Sequence, residues 1–120
     1  MLVIPGQLPG LNEYTAANRG SRYSGNRMKH TSETDIMWAA KAARLAPVEG
    51  ACRMVFDWFE PDRRRDLDNV AFAKKFILDA LVKVRVLADD GRRFVTGFED
   101  RFHVDEISPR VVVTIEKVEP

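Results

Sequence analysis

Residues 51–59 read ACRMVFDWF, and the alternation in that run constrains the fold more than any other stretch. Successive side chains of a strand point to opposite faces. Cys52, Met54, Phe56 and Trp58 therefore share one face, and Arg53 and Asp57 lie on the other. Such a strand needs apolar cover on one side only, and it ends at Pro61, which has no amide proton for a ladder. Helices supply the cover. From Asp68 or Asn69 onward, Val70, Ala73, Ile77, Ala80, Leu81 and Val84 fall at helical spacing. A helix over about 32–45 aligns Ile36, Ala39, Ala40 and Ala43, with Ser32 and Asp35 resembling a capping box and Pro47 beyond its end. Residues 1–4 form a short strand before two Pro-Gly turns. Residues 94–104 alternate again, with Phe94, Thr96, Phe98, Phe102 and Val104 on one face, and 110–118 make a last strand. The order β-α-β-α-β-β predicts one α+β domain over 1–120, with helices packed on a sheet.

Residues 11–30 are polar and rich in Gly, Ser and Asn, and are expected to form a long loop. That segment carries Arg19, Arg22, Arg27 and Lys29, and no acid lies between residues 18 and 30. The net charge is only +1, so positive charge is concentrated rather than abundant, and any affinity for nucleic acid must come from patches. The single cysteine, Cys52, excludes an intrachain disulfide and falls on the apolar strand face. No apolar run reaches signal-peptide or transmembrane length, so the expected location is the cytoplasm, away from membranes.

The chemistry concentrates in PDRRRDLDNV, residues 61–70. Asp66 and Asp68 lie on one side of an extended chain, close enough to share a cation, and they repel unless a metal or a guanidinium sits with them. Ordinary accounts exist for each part: Asp68 as an N-cap, Arg65 as the partner of the pair, Asp89-Asp90-Gly91 as a turn, Arg63 and Arg64 as solvated surface. Taken together, a third carboxylate at Asp90, at the far end of the following helix, makes a set of hard oxygen donors suited to Mg²⁺ or Mn²⁺. Seven helical residues turn the chain through about 700°. Lys75 is thus expected on the face of Asp68, about 10 Å further along, where it could steady developing negative charge; Lys74 is expected to point away. No nucleophile elbow, phosphate-binding loop or paired-cysteine motif is present, and His30 and His103 are isolated.

RRRDLDN at 63–69, then a helix ending LDAL at 78–81, then ADDG, resembles the RusA-type Holliday junction resolvases. LPGLNEY at 8–14 is similar to that family's Pro-rich start. The resemblance covers roughly residues 4–118. It implies a mixed sheet packed with two helices, an intertwined homodimer and metal-dependent cleavage of four-way DNA junctions. It also implies Asp66, Asp68 and Asp90 as metal-binding catalytic carboxylates. The family's essential lysine carries over to Lys75, counting back from Asp79, with Lys74 as its rival. The segment from Asn69 to Asp79 looks about one helical turn longer than in the founding type. Arg63, Arg64, Arg65, Asn69 and Lys74, with Arg19, Arg22, Arg27 and Lys29, are the expected DNA contacts. The alternative is a non-catalytic nucleic-acid-binding module, in which the aspartates only cap helices and pair with arginines. A small oligomerising interaction protein, exposing Trp38 or Phe72, is a third reading.

Overall fold

The computed structural model describes residues 1–118. The chain runs β1 (Leu2–Pro5), α1 (Leu11–Gly20), α2 (Arg22–Ala42), β2 (Cys52–Glu60), α3 (Leu67–Ala71), α4 (Lys74–Lys83), β3 (Val95–Val104) and β4 (Arg110–Lys117). The strands form one mixed sheet in the order β1-β4-β2-β3. β4 lies antiparallel to both β1 and β2, whereas β3 joins β2 in parallel and ends the sheet.

The expected α+β domain is present, with four helical segments instead of two. Cys52, Met54, Phe56 and Trp58 are all buried on one face, as the alternation of β2 required. Register extends this face across the sheet. Leu2, Val113 and Phe56 fall in one row, and Ile4, Val111 and Trp58 in the next. α2 packs on α4, and Ile36, Ala40, Ile77, Ala80 and Leu81 close the core against these rows. The other face carries ion pairs instead: Arg53 bridges Glu99 and Glu116, at 2.7 and 3.0 Å.

Residues 11–30, expected to be a basic loop, are helical. Their polar composition has a tertiary purpose. Gly25 lets α1 and α2 approach, since a Cβ there would lie 1.7 Å from the Asn18 Oδ1. A free amide in the first turn of α1 is satisfied from a distance, because Asn12 N–H donates to Asn69 Oδ1 at 2.9 Å. The start of α2 is set by Ser21, whose hydroxyl accepts from Ser24 N–H at 3.0 Å, and not by Ser32, which is buried in mid-helix. Ser21→Ala is expected to lower stability by about 1 kcal/mol, read as a shift in the urea midpoint at unchanged slope.

The face expected for 94–104 is also amended. The register slips between Cys52 and Arg53, so Val95 takes the buried place and Thr96 turns out, donating its hydroxyl to Cys52 O. One extra residue in a strand reverses the parity of everything before it. Phe98 and Phe102 keep the expected face, opposite Met54 and Trp58. Among the described residues no helix is long and apolar enough to cross a membrane.

Candidate functional site

The two segments singled out in the sequence, RRRDLDN and LPGLNEY, are locked together. Arg65 reaches away from Asp66 and Asp68. Its guanidinium donates twice to Leu8 O at 3.1 Å and pairs with Glu60 at 3.1 Å and Glu13 at 3.5 Å. Asn69 is buried, holding the start of α1 as described above. Gly10 is squeezed between them. A Cβ there would meet Asn69 Oδ1 at 2.5 Å, Arg65 Nη1 at 2.7 Å and Asn69 O at 2.9 Å. Arg65 and Asn69, expected at DNA, thus have demanding structural partners.

That lock leaves Asp66 and Asp68 unmatched. Asp66 occupies the N-cap position of α3 with extended backbone, yet its side chain makes no capping bond. Both residues are exposed, and among the described residues neither carboxylate forms a hydrogen bond or an ion pair. The guanidinium that should have neutralised them is engaged elsewhere. Arg63 and Arg64 beside them face solvent, Arg64 at 89% exposure with only a 3.5 Å approach to Asp62. A groove of about 730 Å³ runs from Arg63, Asp66 and Leu67 to Phe102, His103 and Val104 at the end of β3.

The lysines separate at the junction of α3 and α4. Ala73, Lys75 and Phe76 N–H groups bond to the carbonyls three residues back, so the helix is locally overwound. Lys74 turns onto the sheet and pairs with Asp100 at 2.7 Å, beneath which Trp58 Nε1–H donates to the other carboxylate oxygen at 2.9 Å. Its ammonium also lies 4.5 Å from the centre of the Phe98 ring. Lys74, expected to point away from the site and toward DNA, is thereby spent inside the fold. Lys75 stays exposed and meets Asp79 at 3.3 Å and Asp90 at 3.6 Å. Asp79 first, then Asp90, holds its ammonium above the usual lysine range.

Asp90 therefore belongs to a charged cluster that sequence reasoning did not assemble: Lys75, Asp79, Lys29, Glu33 and Lys83. Glu33 is buried with Lys83 on one oxygen, while its Oε1 lacks a hydrogen-bond partner. The signal was present only as helical spacing, since Lys29 and Glu33 are four apart, as are Lys75 and Asp79. Among the described residues, no three His, Cys, Asp or Glu side chains gather where they could hold one metal ion. Asp66 and Asp68 are suitable donors for a hard cation, exposed and without protein partners, but a single chain does not add Asp90 to them.

Of the other basic residues, Arg19 ends α1 and Arg22 and Arg27 lie in the first turns of α2, all exposed. Lys29 is tied to Asp79 at 3.5 Å. His103 stacks on Phe59 and contacts Asp57, and Cys52 is a core residue whose burial pushes its thiol up. Phe72 packs against Tyr14 and Phe76. Neither a family model nor a curated protein matches this chain.

Proposed function

We propose that this chain is a RusA-type endonuclease that cleaves branched DNA, four-way junctions above all, as a cytoplasmic homodimer using Mg²⁺ or Mn²⁺. One observation carries the reading. Asp66 and Asp68, two apart in sequence, are exposed, and among the described residues their carboxylates make neither a capping hydrogen bond nor an ion pair. The rival DNA-binding module needs those aspartates as caps and arginine partners, and they serve as neither. Exposed carboxylates without protein partners are free to take a hard cation.

Asp66 and Asp68 would hold the metal, with Asp90 as the third carboxylate; the ion would supply a water acidic enough to attack phosphorus. The protein's own groups do the remainder. Arg63 and Arg64 draw the phosphate backbone to the start of α3, and Arg19, Arg22 and Arg27 extend the positive surface along α1 and α2. Lys75 keeps its proton and is held by Asp79 and Asp90. Arg65 and Asn69 position the segment that bears the aspartates.

The deciding experiment is cleavage of an end-labelled four-way junction by purified protein with Mg²⁺, beside a linear duplex of the same sequence. Paired nicks in the junction alone support the reading, and an intact junction under all metal conditions removes it. Replacing Arg63 and Arg64 with alanine is expected to reduce the slope of log affinity against log salt by about two, measured by fluorescence anisotropy across a salt series. An unchanged slope would place the phosphate contacts elsewhere.

A further inference from the structure

The solvent face of α2 carries rings where a surface helix ordinarily carries charge. Its inner face holds Gly25, Ser32, Glu33, Ile36 and Ala40, all buried. At about 100° per residue, Tyr23, Arg27, His30, Thr34, Trp38 and Lys41 fall on one outward stripe about 80° wide. Tyr23 is 71% exposed and Trp38 68%. One exposed ring is ordinary on a protein surface. Two on one stripe, with cationic side chains between and beside them, form a pattern. The Lys41 ammonium lies 5.5 Å from the centre of the Trp38 ring. Between residues 18 and 44 the acids are Glu33, which is buried, and Asp35, at the side of the stripe. The same stretch also carries Arg19 and Arg22, where α1 meets α2, and Arg44 just beyond the end of α2.

We infer that this stripe binds single-stranded nucleic acid, with bases stacked on Tyr23 and Trp38 and phosphates held by Arg27 and Lys41. Charge complementarity selects this occupant. A strand of phosphates needs cations at intervals, and its unpaired bases need flat apolar surfaces. In a duplex each base is already covered on both faces by its neighbours, so rings projecting from a helix gain little there. Tyr23 and Trp38 are separated by about 22 Å along the helix axis, room for several nucleotides. His30 lies between them, and its exposed ring offers a further platform. A protein partner seated here would bury the Arg27 and Lys41 charges, which is costly unless acids meet them. A phosphate strand supplies a negative charge at every nucleotide.

The stripe extends the basic surface that the endonuclease reading assigns to Arg19, Arg22 and Arg27, but it needs neither metal nor cleavage. Lys29 pairs with Asp79 and Glu33 with Lys83, so α2 runs parallel to α4. The Tyr23 end of the stripe therefore lies toward the start of α4, and the Trp38 end lies away from it. The two tryptophans differ in setting. Trp58 is buried with its Nε1–H bonded to Asp100, whereas Trp38 is open to solvent. A base stacking on Trp38 thus has its own signal, a loss of indole emission that Trp58 does not share.

The test is a fluorescence titration at low salt without metal, using oligothymidylate and oligouridylate of about twelve nucleotides. A blunt duplex of the same length is the control. The expected result is quenching of the Trp38 emission by a single strand and not by the duplex. Either strand supports the inference, and the tighter one identifies DNA or RNA as the ligand. Anisotropy of the labelled strand reads the variants. Tyr23→Ala and Trp38→Ala are each expected to weaken binding about tenfold, with unchanged circular dichroism. Replacing Arg27 and Lys41 together with alanine is expected to reduce the slope of log affinity against log salt by about 1.4. Unquenched emission, or an affinity unchanged in both ring variants, overturns the inference. So does Trp38 emission that shifts with protein concentration in the absence of any strand, which assigns the stripe to contact between chains. Because no readout uses a junction or a metal, failure here leaves cleavage to be judged by its own assay.

Discussion

Asp68→Asn is expected to abolish junction cleavage while leaving junction binding equal or tighter. The substitution keeps the shape and removes one negative charge. Among the described residues the Asp68 carboxylate makes no hydrogen bond and no ion pair, so the fold loses only its favourable place in the first turn of α3. A metal bound to that oxygen loses a charged ligand. Partners that merely orient metal ligands are worth about 10–100-fold in activity, so a direct ligand is expected to cost at least about 100-fold. Binding moves the other way, because a carboxylate near a phosphate backbone repels it. Single-turnover cleavage and anisotropy on the same junction separate the two effects. Full cleavage by Asp68→Asn would sink the metal assignment, and a loss of binding in parallel with cleavage would make Asp68 a contact residue instead.

The second large effect is on stability. Gly10→Ala is expected to lower the thermal midpoint by roughly 10 °C, at a cost of about 2–3 kcal/mol. The new methyl would press on the Asn69 side chain and on its carbonyl oxygen, 2.9 Å away, and the latter cannot swing aside. Relief requires moving Arg65 off Leu8 O and Glu60, which leaves charge half-buried and unpaired. Scanning calorimetry reads the shift. A midpoint within about 2 °C of wild type would mean that the two segments are not held together as the geometry shows. Residual cleavage measured well below the midpoint is expected to fall as well, since the same lock places the aspartates.

Much of the architecture was legible because period and burial coincide. The alternation of Cys52, Met54, Phe56 and Trp58 predicted a one-sided strand, and all four are buried. Val70, Ala73, Ile77, Ala80, Leu81 and Val84 predicted a covered helix; the first five are buried, and Val84 at its end is half-buried. The helices over 11–30 were hidden for a definite reason. Their start is capped by Asn69, which lies 57 residues away from Asn12 in sequence, and their glycine serves a helix crossing. Local rules read Gly, Asn and Ser as loop formers because they cannot see a partner that distant.

The candidate site divides along the same line. Residue types, spacing and the family resemblance nominated the candidate groups: two aspartates at the start of a helix, a third in the turn beyond it, arginines alongside and a lysine one helix turn before Asp79. Which of these groups are free to act was decided only by the tertiary structure. Arg65 is taken up by Leu8, Glu13 and Glu60, Lys74 by Asp100, and Asp90 by Lys75. Among the described residues, Asp66 and Asp68 are left without partners. A charge near in sequence competes with every opposite charge that folding brings near in space, and the attraction depends on the final distance and burial, not on the number of residues between.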